Sequence, residues 1–165
     1  TSGTKTPPWL EPGRHVVWAA DLTYKTTRKG DTSIEVLFCC VKGDHVGARM
    51  YERFILTQAA SWKIARFARA VGHATSWDAS NEEETRDILC SRPVMVTVCA
   101  WQNNKGENRP QVERGQIDPF DGEVTEDMEK HVVAMEDYSV ALKEHMSQKS
   151  APNRGFGGAS DEVPF

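Results

Sequence analysis

Five short runs of apolar residues precede the one long helical stripe in this chain. Residues 15–24, opening His15-Val16-Val17-Trp18, read as a strand. Residues 34–41 are almost wholly apolar, as expected of a strand buried on both faces. Residues 49–56 alternate cleanly between polar and apolar positions, and residues 94–101 are rich in β-branched side chains. Residues 109–117 make a fifth strand candidate. Turn signals separate the runs: Gly30-Asp31, Lys42-Gly43-Asp44, and Asp118-Pro119-Phe120-Asp121-Gly122.

Between the third and fourth runs the period changes from two to that of a helix. Ala60, Ile64, Phe67, Ala68 and Val71 share one face of a helix over residues 57–71, with Gly72 as its stop. Ser80-Asn81-Glu82-Glu83 reads as a capping box opening a short helix that ends near Leu89. A third helix, over residues 126–146 and capped by Thr125, carries Met128, Val132, Met135, Leu142 and Met146 on one side, with Ser139 interrupting the stripe. That stripe is expected to pack on the parent domain, with dimerisation as the alternative. The organisation expected is an irregular lead-in over residues 1–13, a body over 14–117, a helical extension over 118–147, and a Gly-rich linker with an acidic tip over 148–165. Three strands, a helix, a short helix and two strands is the order of an OB-fold. The expected class is therefore mainly β: a five-stranded OB-fold barrel with an inserted helix and a C-terminal amphipathic helix.

Charge changes this picture more than composition does. The net charge of −4 argues at first against a nucleic-acid partner. Residues 1–117, however, hold 16 Lys and Arg against 13 Asp and Glu, while residues 118–165 hold 4 against 11. A mildly basic body thus precedes an acidic last third. No apolar run approaches the roughly 20 residues that cross a bilayer. The opening Thr1-Ser2-Gly3-Thr4 reads as a trimmed or tagged terminus and not as a signal peptide. Cys39, Cys40, Cys90 and Cys99 make no C-x-x-C pair and are read as buried reduced thiols, which implies an intracellular setting. The scattered histidines and cysteines predict no metal site, and no cofactor is expected.

The candidate chemistry is that of a single-strand binder. Alternation puts Arg49, Tyr51 and Arg53 on one face of the third strand, where guanidinium groups meet phosphates and a ring stacks on a base. Tyr24, Lys25, Arg28 and Lys29 form a basic hairpin tip, and Trp101 with Lys105 repeats the pairing of an aromatic with a basic loop. Lys63, Arg66 and Arg69 give the first helix a basic edge that a solvated face explains equally well. Glu52 breaks the apolar side of the third strand. No P-loop, G-x-S-x-G or H-E-x-x-H is present, and Glu35-Val36-Leu37 lacks the Lys of a metal-nuclease element, so no enzymatic activity is expected. An OB-fold that binds RNA or another protein stands as the alternative.

The segment Asp161-Glu162-Val163-Pro164-Phe165, behind its Gly-rich linker, resembles the C-terminal tip of bacterial single-stranded DNA-binding proteins. Tyr51-Glu52-Arg53-Phe54, Trp62, Val71-Gly72 and Val94-Met95-Val96-Thr97-Val98 resemble phage-encoded single-stranded DNA-binding proteins with an OB-fold. The resemblance implies binding of single-stranded DNA without strong sequence preference during replication, recombination or repair. It implies a bacterial cytoplasm, with that of a phage host as one case. It also implies recruitment of partner proteins through Asp161, Glu162, Val163, Pro164 and Phe165, the terminal ring filling an apolar pocket on the partner.

Overall fold

The computed structural model describes residues 6–150, and side chains through Ser147. Its elements run β1 (Gly13–Thr26), β2 (Thr32–Lys42), β3 (Arg49–Ile55), α1 (Ser61–Ala70), α2 (Glu82–Leu89), β4 (Val94–Gln102), β5 (Asn108–Pro119) and α3 (Glu126–Ser150). The five strands form one antiparallel sheet in the order β3-β2-β1-β4-β5. All five strands and three helices expected from the pattern are present. No helix among the described residues is long and apolar enough to cross a membrane.

Local chemistry explains most boundaries. α1 begins at Ser61, four residues later than the pattern implied, because Thr57 Oγ1 accepts the Ala60 N–H at 3.2 Å and holds residues 57–60 in a turn. Its C-cap is Val71, and Gly72 follows with φ of 91°. The N-cap of α2 is Asn81 and not Ser80: Asn81 Oδ1 accepts the Glu84 N–H at 3.0 Å, while Ser80 is taken up by Asp78. Thr125 Oγ1 accepts the Met128 N–H at 3.3 Å and caps α3 as expected. The lead-in is less irregular than its prolines implied. Arg49 N–H donates to Pro8 O at 2.8 Å and Leu10 N–H to Arg49 O at 2.9 Å, a short parallel pairing on the edge of β3 that buries Leu10.

Helices pack on both faces of the sheet, the outer one only in part. On the inner face lie Val17, Leu22, Ile34, Val36, Phe38, Met50 and Phe54, against Ile64 and Phe67 of α1 and Leu89 of α2. On the outer face α3 lays Met128 and Met135 against Trp18, Leu37, Cys39 and Val41. β2 is therefore buried on both sides, as its continuous apolar run requires. The methionine stripe of α3 packs on the parent sheet, and Ser139, the gap in that stripe, is buried with its hydroxyl on Asp21.

The sheet is open, and side chains join its edges. Val112 N–H of β5 donates to Glu52 Oε1 of β3 at 2.9 Å. Lys63 of α1 pairs with the same carboxylate and also donates to Arg53 O at 2.9 Å. Farther along, Arg66 donates to Ile117 O at 3.1 Å and to Asp118 at 3.0 Å. Between these sites β5 bulges, so that Val98 pairs with Val112 while Val96 pairs with Ile117. Within the bulge Gly115 takes φ of 68° beneath Trp62, whose ring would lie 2.7 Å from any Cβ there. Lys63 thus acts in the seam between β3 and β5, Arg66 ties α1 to β5, and of the basic edge only Arg69 stays exposed.

Glu52 is 6% exposed, so removing its charge partner role should be costly. Glu52→Ala leaves the Val112 N–H without its acceptor and takes from Lys63 its counter-charge, leaving it Arg53 O. A loss of about 3 kcal/mol in urea unfolding is expected; a loss below about 1 kcal/mol, the scale of an ordinary surface change, would show that the seam holds without it.

Candidate nucleic-acid interface

Strand register sets out the outer face of β1, β2 and β3 as rows. Lys25, Ser33 and Ile55 form one row, Thr23, Glu35 and Arg53 the next, and Asp21, Leu37 and Tyr51 the third. Same-face neighbours along a strand are about 7 Å apart, so these rows span about 14 Å. α3 covers the sheet from the third row onward.

At the first row the β1–β2 hairpin and β3 enclose a concavity of about 900 Å³ lined by Lys25, Arg28, Lys29 and Arg53, with Asp31 as its acidic member. The hairpin is built to hold this shape. Gly30 takes φ of 90°, its N–H donates to Thr27 O at 2.9 Å, and Thr27 N–H donates to Asp31 O at 2.8 Å. Lys25 pairs with Glu35 at 3.0 Å and remains half exposed. Four of the nine expected nucleic-acid residues therefore come together here, from two strands and a loop.

The expected outward row of Arg49, Tyr51 and Arg53 is corrected by the structure. Only Arg53 is exposed. Arg49 is 8% exposed because Trp9, carried in by the lead-in pairing, lies across its guanidinium at 3.5 Å. Its Nε and Nη1 have no hydrogen-bond partner among the described residues, and the indole face compensates part of that loss. Tyr51 is half-buried, edge-on to Trp9 at 6.1 Å and packed, like Tyr138 of α3, against the outer cluster. Burial pushes its phenol up, and Tyr138 adds to the effect. Tyr24 is also a packing residue: its ring lies against the inner core and its hydroxyl donates to Ala79 O at 2.5 Å.

Trp101 and Lys105 do not join the concavity. They lie on the β4–β5 hairpin, at the other end of the sheet, since Gly13 at the start of β1 pairs with Val98. Trp101 is exposed and directly opposite Arg109, whose guanidinium lies 4.8 Å from Trp9. Trp9 and Arg109 are the residues that sequence reasoning missed. The one signal for Trp9 was a large aromatic beside Pro7-Pro8, outside any periodic run. Asp161, Glu162, Val163, Pro164 and Phe165 lie outside the described residues.

Asp21 fixes α3 over this face. Its Oδ1 accepts from Arg86 at 2.7 Å and from the Leu22 N–H at 2.9 Å, and its Oδ2 accepts from Ser139 at 2.6 Å and Lys143 at 2.7 Å. Burial pushes the carboxyl up, but the hydrogen bonds from Lys143, Ser139 and Arg86 outweigh it and hold the group at about 2. Burial drives the Cys39 and Cys90 thiols up to about 12, so both stay protonated near neutrality, and no disulfide links the four cysteines. Among the described residues no group of three His, Cys, Asp or Glu side chains is placed to hold a metal ion. No protein-family model and no curated protein matches the sequence.

Because the folded carboxyl lies below its ordinary value of 3.8, its contribution is complete above that value and is lost as pH falls toward 2. Asp21→Asn is expected to cost about 2 kcal/mol at pH 7 and to flatten the fall of stability between pH 4 and 2. Chemical denaturation across that range measures it; an acid limb as steep as the wild type's would remove Asp21 from this role.

Proposed function

We propose that this protein binds single-stranded nucleic acid, DNA by preference, without strong sequence selectivity, on an OB-type body. The observation that carries the reading is the concavity where Lys25, Arg28, Lys29 and Arg53 converge. Four cations on a curved surface follow a phosphate backbone, which is the sequence-independent part of single-strand recognition. The body reads as an OB-type barrel in which Glu52, Lys63 and α1 take the place of a β3–β5 ladder. Trp9, Arg109, Trp101 and Lys105 would extend the path toward the β4–β5 hairpin, where the exposed Trp101 ring offers a stacking surface. The resemblance of Asp161-Glu162-Val163-Pro164-Phe165 to an acidic recruiting tip supports a second activity, the tethering of replication, recombination or repair proteins. No step of this reading calls for a cofactor or for catalysis.

Fluorescence titration with oligo-dT, oligo-rU and duplex DNA tests the reading. Salt-sensitive binding to oligo-dT with little affinity for duplex is expected. Replacing Arg28, Lys29 and Arg53 together by Ala should lower oligo-dT affinity at least about tenfold and reduce the slope of log K against log salt by about 2, near the 0.7 per phosphate contact of single strands. The unfolding midpoint should not move, since all three side chains face solvent. Equal binding to duplex, or a triple variant with the parent salt slope, would reject the placement; a preference for oligo-rU would reassign the ligand to RNA.

A second measurement addresses the tip. Deleting residues 161–165 should abolish association with purified replication or repair partners while keeping oligo-dT binding. Retained association would show that recruitment lies elsewhere on the chain.

A further inference from the structure

Beside the cationic concavity lies a second, smaller opening, between the outer sheet face and the last turns of α3. Its volume is about 220 Å³. Leu37 and Tyr51 form the wall on the sheet side, Leu142 and Met146 the wall on the helix side. Thr23 and Glu35 stand at its polar edge. Asp21 determines its width, because the same carboxylate that anchors β1 holds Ser139 and Lys143 of α3.

We infer that this slot receives one unpaired nucleobase of the strand whose phosphates the neighbouring concavity holds. The inference rests on the single-strand reading above and adds to it a base subsite built partly by α3. Three observations support it. The two openings adjoin: Lys25 lines both, and the rows of the outer face run from one to the other, Asp21-Leu37-Tyr51 to Thr23-Glu35-Arg53 to Lys25-Ser33-Ile55. The charges are ordered as a nucleotide is ordered, with cations over the concavity and an apolar cleft next to it. The cleft pairs an aromatic ring with aliphatic side chains, the environment in which a flat heterocycle is desolvated on both faces. Lys25, already paired with Glu35, stands at the junction, where a ribose-phosphate would pass.

The slot gives α3 a role apart from packing. The helix covers the third row and leaves the first two open, so it sets where on the sheet a base descends. Tyr51, which burial removes from an open stacking row, becomes the floor of an enclosed one.

The test uses the full chain and fills the slot. Leu142→Trp puts an indole where the base would sit, and Met146→Trp does the same from the rim, where the residue is 46% exposed. Both should lower oligo-dT affinity about tenfold, within the range for one stacked base, with the salt slope unchanged because the phosphate contacts remain. A strand of the same length made of abasic residues should bind the wild type and both variants alike. Oligo-dT affinity unchanged in two folded variants would overturn the slot and leave the single-strand reading standing. An equal loss on the abasic strand would overturn it too, since the effect would then lie on the backbone. A changed oligomeric state with intact DNA affinity would assign the slot to a second copy of the chain instead. A wild type that does not bind oligo-dT would overturn both readings.

Discussion

The buried carboxylate of Asp21 joins three elements that share no backbone pairing. Arg86 brings α2 to it, Ser139 and Lys143 bring α3, and the Leu22 N–H fixes its rotamer on β1. A buried charge is tolerable only with every lone pair engaged, and four donors meet that condition here. The consequence reaches the surface. With α3 docked at this point, the outer sheet face divides into a covered half, packed by Met128 and Met135, and an open half leading to the β1–β2 hairpin. The location of the candidate interface follows from that division.

The opposite side of the molecule answers a different problem. A five-stranded sheet that curls brings its two edges close, and an exposed edge invites unwanted pairing. β3 and β5 solve this with side chains. Glu52 occupies a core-facing position between Met50 and Phe54, where an apolar residue would pack as well but would leave the Val112 N–H unsatisfied. Lys63 then neutralises the carboxylate, and its ammonium lies 5.0 Å from the centre of the Phe54 ring. The bulge at Arg114 and Gly115 lets β5 bend under α1, with Trp62 filling the space. Cations on α1 that resembled a binding edge are thereby used in holding the seam.

The open half of the outer face separates two tasks. Cations on a hairpin and on the end of β3 supply long-range attraction that any polyanion would feel. Recognition of a single strand needs surfaces for unpaired bases as well, and the rings of Tyr51, Trp9 and Trp101 lie along or beside that face at different depths. Trp9 spends its inner face on Arg49, so its contribution to a bound strand depends on the exposed part of the ring. The depth of each ring follows from which neighbour covers it, the lead-in for Arg49 and α3 for Tyr51.

Much of the framework was legible in the sequence because local periodicity and turn chemistry act over a few residues. All eight elements lie within a few residues of their expected positions, and the methionine stripe of α3 identified its buried side. The hairpin cations Lys25, Arg28 and Lys29 were legible for the same reason: a turn between two strands is exposed wherever the strands go. Strand alternation, in contrast, says which residues share a face and nothing about what covers it. Arg49, Tyr51 and Arg53 share a face as expected, yet Trp9 buries the first and α3 half-buries the second. Likewise, Glu52 read as a flaw in a pattern until β5 brought an amide to it, and nothing in the run of residues 15–24 singled out Asp21, which α3 meets from more than a hundred residues away. Sequence by itself determined the elements, the exposed loops and the charge asymmetry, since these depend on near neighbours. Only the tertiary structure decided which cations remain open to a ligand, because burial is set by segments distant along the chain.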